Sequence, residues 1–345
     1  MRSMSTFTGM GGNDLAFAFF VYPTLYCEID PDTIKLLKSV IQRGVLPDAP
    51  IHKDIQTLVK SDIYIQLKGT IDLLSASWPC QGNSSMGKRK GMEDARSGLI
   101  RDTCAVILDL NPPVVFLENV APAHNNGSLK YIVDTVGDRY IISFGCFTAY
   151  ELGFEHERER FFCVLLRNDD TARDKLRKML AAARPPAAVG AEPIRMTNQP
   201  GPYSKLRYHA LGNAVVPLCS YHAFTTLGPH TLAPMTGSTA FPADPKALPK
   251  SGVVWGGVIR ELTHPAVAVT RRRTALLTID PSKFTPPVGT RRGATLIEEN
   301  ILTEPVKRLN WSTPRAGCHS ACNFLTSGAQ TAASGAPLAA TAGGI

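Results

Sequence analysis

The sequence predicts an α/β protein built on a doubly wound, mostly parallel sheet, with a smaller, irregular and β-rich C-terminal region. Three observations predict it. Short apolar, β-rich runs alternate with helical patterns over the first 170 residues, which is the rhythm of βαβ units. A glycine-rich turn follows the first run and an acid stands at the tip of the second, at the strand ends where such sheets hold ligands. Beyond residue 228 the chain turns rich in Pro, Gly, Thr and Ala. The chain has 345 residues, enough for two domains or for one large domain with an appendage. Its 44% apolar and 19% charged residues supply a core and exclude general disorder.

The elements follow in order. A short strand precedes Phe7, and Phe17 to Tyr26 leads into Cys27-Glu28-Ile29-Asp30. Thr33 to Ile41 has the spacing of an amphipathic helix, and Leu99 to Leu110 is helix-like. Ile71 to Ala76, Val114 to Leu117 and Phe161 to Leu166 are apolar strand candidates. A basic helix is expected over 171–183, then a linker over 184–203, where five prolines interrupt the chain. Helical character returns at Val215 to Leu227, and β-like runs recur at 253–259, 266–270 and 275–279. Residues 331–345 are low in complexity. The expected division is an α/β domain over 1–170, a helix with a Pro-rich linker over 171–206, a further helix over 207–227 that packs back on the first domain, and a last region over 228–345 with a disordered tail.

Composition narrows the function classes. No stretch reaches the roughly 20 apolar residues of a membrane span. Leu15 to Tyr22 is short and lacks a basic flank and a cleavage site, so neither membrane insertion nor a secretion signal is expected. The eight cysteines are scattered without a CxxC pair and read as reduced thiols. Cys318 and Cys322 have a spacing zinc can use, but no second ligand pair lies near, so no metal is expected. The net charge of +8 is uneven: residues 1–223 carry 25 basic and 23 acidic side chains, residues 224–345 carry 12 and 6. That surplus suits a polyanion partner, and solubility explains it equally well.

Five segments carry chemistry. Phe7-Thr8-Gly9-Met10-Gly11-Gly12 lets the backbone turn sharply and approach a ligand, as many ordinary turns also do. Glu28 sits where a strand-end carboxylate accepts ribose hydroxyls, and Asp54-Ile55 offers an acceptor and an apolar face to a base. Ser77-Trp78-Pro79-Cys80-Gln81 places a cysteine at a strand end before a polar loop bearing Lys88, Arg89, Lys90 and Arg96. That setting suits a nucleophile acting on nucleic acid better than a buried structural thiol. Glu118-Asn119-Val120 puts a carboxylate at the tip of an apolar strand, where burial raises its pKa and fits it to give a proton to a ring nitrogen; a helix cap is the plainer alternative. His156-Glu157-Arg158-Glu159-Arg160, read as a strand, sets its two arginines on one face, suited to phosphate or base oxygens or else to a salt-bridge ladder. Leu211-Gly212-Asn213-Ala214-Val215-Val216-Pro217 opens the last helix.

Taken in order, FTGMGG, CEID, PCQ with its following GKRKGMEDARSGL, ENV, HERER and GNAVVP resemble the cytosine-C5 DNA methyltransferase family over about residues 5–225. The resemblance implies a Rossmann-like S-adenosylmethionine-dependent methyltransferase fold. It implies a cofactor pocket of Phe7, Gly9, Gly11, Glu28, Asp54, Ile55, Asn213 and Val215. It implies Cys80 as the nucleophile that adds to C6 of a flipped cytosine, Glu118 as the carboxylate at N3, and Arg160 with Arg158 at the base oxygen. Gln81, Lys88, Arg89, Arg96, Arg271 and Arg272 are the expected nucleic-acid contacts. The substrate implied is double-stranded DNA bound by a monomer; a catalytically idle DNA-binding relative and an RNA cytosine-C5 methyltransferase are the alternatives. A restriction partner and the compartment (cytoplasm, nucleus or viral factory) depend on the source. Three departures from the family pattern are His156 for Gln, Gly82-Asn83 for Pro-Phe, and only 51 residues between Arg160 and Gly212. The last departure shifts the expected recognition region to 228–345.

Overall fold

A computed structural model describes residues 1–79, 97–154, 156–186 and 212–263. The strands are β1 (Arg2–Thr6), β2 (Tyr22–Cys27), β3 (Ile51–His52), β4 (Leu73–Ala76), β5 (Val114–Val120), β6 (Tyr140–Phe147), β7 (Arg160–Arg167), β8 (Thr239–Ala240), β9 (Ser251–Trp255) and β10 (Val258–Glu261). The helices are α1 (Gly12–Ala16), α2 (Pro31–Gln42), α3 (Ile55–Leu58), α4 (Asp62–Leu67), α5 (Ile100–Leu110), α6 (Ser128–Val136), α7 (Asp170–Ala182) and α8 (Pro217–Leu232).

Among the described residues the strands form one sheet in the order β3-β2-β1-β4-β5-β7-β6-β9-β10-β8. The pairings from β3 to β5 are parallel. From β5–β7 onward every described pairing is antiparallel. The mostly parallel sheet expected from the sequence is therefore a mixed sheet, parallel in its first five strands. Strand order reverses between β1 and β4, which opens the crevice at their carboxyl ends. The glycine loop leaves β1 there, and Ser77-Trp78-Pro79 leaves β4 beside it.

Both faces of the sheet are covered, so β5 and β7 read as continuous apolar runs rather than alternating ones. Val115 and Leu117 face a core shared with Ile100, Ile107 and Leu110 of α5 and Leu129, Ile132 and Val136 of α6. Val114 and Phe116 face the opposite core, shared with Leu176 and Met179 of α7 and Ala223, Phe224 and Leu227 of α8. Phe17 of that core sits edge-on to Phe116 at 4.8 Å, and Phe224 lies 5.3 Å from Phe17 and 5.2 Å from Phe20. This aromatic cluster pins α8 against the end of α1 and β5.

Side-chain caps mark several helix starts. Asp30 accepts from Thr33 N at 2.7 Å with Pro31 at the first helical position, and Asp169 accepts from Ala172 N at 2.9 Å. Helix α6 and strand β6 lie outside the sequence expectation. The α6 run carries β-branched Ile132, Val133, Thr135 and Val136, weak helix formers, and burial of its Leu129, Ile132 and Val136 face overrides that preference.

The chain does not leave this fold at residue 228. Helix α8 continues to Leu232, and β9 pairs with β6 while β10 folds back on β9 around Gly256-Gly257. Residues up to 261 thus extend the same sheet. The expected runs at 266–270 and 275–279, the Cys318/Cys322 pair and the low-complexity tail lie outside the described residues.

Asp14 in α1 is 3% exposed, and its Oδ2 has no hydrogen-bond partner among the described residues. Burial pushes its carboxyl up from 3.8 to about 7, with the Ser5 hydroxyl opposing that rise. A carboxyl held protonated by the fold binds a proton that the unfolded chain has released. Its contribution to stability is complete below about pH 4 and is lost as pH rises through about 7. The limiting slope is about 1.4 kcal/mol per pH unit. Urea denaturation at a series of pH values should show Asp14→Asn gaining on wild type across that window; a difference independent of pH would contradict it.

Candidate active site

The glycine loop is tied to the end of β2 by Thr8. Its amide donates to Cys27 O at 3.0 Å, and its Oγ1 accepts from Cys27 N at 3.1 Å. Phe7 (φ 52°) and Gly9 (φ 59°) both take the left-handed backbone that turns the chain out of β1. The Gly9 amide donates to Glu28 Oε2 at 2.8 Å, and Asp30 N donates to Glu28 Oε1 at 3.0 Å. Each carboxylate oxygen is thereby oriented with acceptor capacity left over. A Cβ on Gly9 would meet no atom within 4 Å, so the loop backbone borders open space beside Glu28. Gly11 (φ 79°) starts α1, and a Cβ there would overlap Leu46. The donor set and this open cradle fit the adenosine half of S-adenosylmethionine.

Asp54 and Ile55 divide their roles. Asp54 Oδ1 accepts from Gln56 N at 2.9 Å as the cap of α3 and remains partly exposed. Ile55 is 6% exposed and belongs to the core beneath β2, so it offers a bound ring little surface. Asn213 is exposed, whereas Val215 packs on Gly12. A Cβ on Gly12 would stand 2.5 Å from Val215 Cγ1 and 2.8 Å from Val215 O. Glycine at position 12 is therefore what lets the last motif close on the first. Gly12→Ala should force the 212–216 segment outward, lower the melting temperature by the equivalent of about 1–3 kcal/mol and weaken cofactor binding. Calorimetric titration with S-adenosylmethionine and a thermal melt check both; an unaffected variant would show that the contact is dispensable.

Ser77 N donates to Thr6 O at 3.3 Å, holding the chain beside the glycine loop as it leaves β4. Asn119 Nδ2 donates to Trp78 O at 3.0 Å, and Asn119 Oδ1 accepts from its neighbour's amide, Val120 N, at 2.8 Å. Trp78 is 2% exposed. The segment that delivers Cys80 is thus anchored at both Ser77 and Trp78. Cys80 itself lies outside the described residues, as do Gln81, Lys88, Arg89, Arg96, Arg271 and Arg272.

Glu118, near the end of β5, is 7% exposed, and its Oε1 lies 3.3 Å from Arg160 Nε at the start of β7. Antiparallel pairing of Val120 with Arg160 brings the two side chains together diagonally. Burial raises the Glu118 pKa, while Arg160, the Ser77 hydroxyl and Arg158 hold it down in that order. A buried carboxyl poised between these influences is suited to exchanging a proton with a ligand.

The shared face expected of His156, Arg158 and Arg160 does not form, because β7 begins only at Arg160. Arg158 has φ 37°, which a strand cannot contain. Its guanidinium reaches the carbonyls of Gly212, at 2.9 Å, and Ala214. Arg158 therefore holds the last motif in place, and Arg160 is the arginine that pairs with the acid. His156 is exposed and stacks on Phe154 at 5.6 Å.

Sequence reading assigned no role to Asn13, Ser77 or Ser220, yet all three converge on Glu118. Ser220 Oγ donates to Asn13 Oδ1 at 2.8 Å, Asn13 Nδ2 donates to Ser77 Oγ at 3.1 Å, and Ser77, one residue past the Ala76–Leu117 pairing of β4 with β5, stands beside Glu118 and holds its pKa down. The available signals were Asn13 directly after the glycine loop, Ser77 at the head of the cysteine segment and Ser220 three residues past GNAVVP.

A glycine-loop cradle and a buried acid–arginine pair meet at one switch point of a doubly wound sheet, the place where such folds offer a ligand crevice. The chain belongs to the C-5 cytosine-specific DNA methylase family, whose model matches residues 1–199. Family members take their methyl group from S-adenosylmethionine. The chain is 30% identical over 171 residues to the type II methyltransferase M.CviJI of Paramecium bursaria Chlorella virus IL3A, covering 49% of this chain and 44% of that protein. It is 36% identical over 102 residues to M.HhaI of Haemophilus parahaemolyticus, covering 28% and 31%. It is 32% identical over 176 residues to M.Bsp6I of Bacillus sp. strain RFL6, covering 49% and 53%. The chain thus spans about a third to a half of the length of these relatives.

Proposed function

We propose that the chain is a DNA (cytosine-5)-methyltransferase acting on a cytosine flipped out of duplex DNA. The observation that carries the reading is the buried Glu118–Arg160 pair set beside the anchored segment that delivers Cys80. The thiolate of Cys80 adds to C6 of the ring, and Glu118 protonates or hydrogen-bonds N3 so that negative charge does not accumulate there. Electron density then resides at C5. S-adenosylmethionine, when bound, would supply the electrophilic methyl group for that carbon, the sulfonium S–CH3 bond breaking to leave a neutral thioether. Loss of the C5 proton to a base expels the Cys80 thiolate and restores the aromatic ring. Arg160 fixes the Glu118 carboxyl and offers its remaining donors to the base oxygen. Gly9, Gly11 and Glu28 hold the adenosine, and Arg158 keeps Val215 against Gly12 so that the cradle stays closed. The base must leave the stack for any of this, at a cost of a few kcal/mol.

Lys88, Arg89 and Arg96, which follow Cys80 in the sequence, and Arg271 and Arg272 in the basic run after residue 263 would contact phosphates. This reading assigns target recognition to the basic chain after residue 263, and the membership of residues up to 261 in the main sheet supports that assignment. No helix among the described residues is long and apolar enough to cross a membrane. The test is methylome sequencing of unmethylated DNA, with an RNA sample in parallel, after exposure to the purified chain and S-adenosylmethionine. The reading expects 5-methylcytosine at a recurring DNA sequence; modification of RNA alone, or of neither, would overturn it.

A further inference from the structure

A chain of three buried or half-buried polar side chains ends on Glu118. Ser220 Oγ is fully buried in the first turn of α8, and Asn13 is 8% exposed in α1. Ser77 follows β4, and Glu118 stands near the end of β5; the register that pairs Ala76 with Leu117 sets Ser77 beside Glu118, so a line of two hydrogen bonds from α8 through α1 ends next to the carboxyl. The donor inventory fixes its direction. An ionised carboxylate only accepts, so a hydrogen bond between it and the adjacent Ser77 uses the single proton of the serine. Ser77 Oγ then accepts from Asn13, which must turn its NH2 group toward it. The Asn13 oxygen is left for the Ser220 hydroxyl, which donates.

We propose that Asn13 is a positioning residue for Glu118: held by Ser220, it locks the Ser77 hydroxyl so that its proton points at the carboxylate. The proposal deepens the reading of Glu118 as the group that meets N3 of the base and rests on it. The charged and titratable groups facing Glu118 among the described residues are Arg160, Arg158 and the Cys219 thiol. Burial pushes that thiol up to about 12, so it stays neutral. The two arginines are fixed charges. The Ser77 hydroxyl is the one of these influences that can rotate, and Asn13 is what stops it. Without Asn13 the ionised carboxylate loses a reliable donor, its titration moves up, and the alkaline limb of methyl transfer moves with it.

Two readouts test this in wild type, Asn13→Ala, Ser77→Ala and Ser220→Ala. The Glu118 carboxyl is titrated by ¹³C NMR in the full chain free of DNA and cofactor, and single-turnover methylation is followed against pH. Asn13→Ala should raise the Glu118 midpoint by about one pH unit, the scale of one hydrogen bond to a charged group. Ser77→Ala should raise it at least as far, Ser220→Ala less in the same direction, and the alkaline limb should follow each. If Asn13→Ala does not fold, Ser220→Ala, which removes a single oxygen atom, decides. An unmoved midpoint in both, with a shift in Ser77→Ala, would overturn the role of Asn13. A wild-type chain that methylates nothing would sink the activity, and the NMR titration would still decide the relay.

Discussion

Cys80→Ala is expected to abolish methyl transfer to DNA and to leave S-adenosylmethionine binding near the wild-type level. The expected loss is at least about 10⁴-fold, the scale seen when a covalent nucleophile is removed. The division between the two readouts follows from the fold. Among the described residues the proposed cofactor cradle is built from the ends of β1 and β2 and closed by Val215, and the segment after β4 meets it through the backbone contact of Ser77 with Thr6 and the Ser77–Asn13 hydrogen bond. Removing a thiol from the chain after Pro79 therefore takes away the bond to C6 without touching the groups that hold adenosine. Isothermal titration with the cofactor and a radiolabelled methylation assay separate the two. A variant that still methylates at a tenth of the wild-type rate or better would refute covalent catalysis at this position.

Glu118→Gln should lower the rate of methyl transfer by roughly 10²–10⁴, the usual worth of a positioned acid, with little change in cofactor affinity. The substitution keeps the shape and one hydrogen-bonding oxygen. It removes the titrating proton and leaves Arg160, whose side chain is 18% exposed, without its counter-charge. A modest fall in thermal stability should accompany the kinetic loss, because a half-buried guanidinium loses its partner. The two effects are distinguishable, since the kinetic one depends on pH through a single group. Burial raises the Glu118 pKa in the wild type, so the proton-requiring step should persist above the range of an ordinary carboxyl and then fall. Glu118→Gln should lose that alkaline limb. A variant with wild-type rate would show that no proton at this position is needed.

How much of this was legible depended on whether chemistry or geometry was being read. The glycine loop, the acid at position 28 and the strand ending in Glu118 follow from residue type and order, because a doubly wound sheet gathers the ends of its parallel strands at one crevice. The pairing of Glu118 with Arg160 was only half legible. Both residues stood out, yet their contact depends on β7 running antiparallel beside β5, which no local pattern announces. Arg158 was read as a strand neighbour of Arg160, but its left-handed backbone turns its side chain to the carbonyls of Gly212 and Ala214. Ile55 was given an open face, and tertiary packing under β2 covers it. Asn13 and Ser220 were invisible because they lie 207 positions apart and acquire meaning only when α8 folds over α1. The chain near 228 looked like a boundary because Pro and Gly accumulate there, whereas those residues shape the turns that return β9 and β10 to the sheet.

The central claim is a transient bond between the sulfur of residue 80 and a pyrimidine ring. The most direct measurement incubates the chain and S-adenosylmethionine with duplex DNA carrying 5-fluorocytosine, whose C5 substituent cannot leave as a proton. A denaturant-resistant protein–DNA adduct, mapped by mass spectrometry to the peptide containing Cys80 and missing from Cys80→Ala, is the predicted result. Efficient methylation of ordinary DNA with no such adduct on the fluorinated duplex would contradict it.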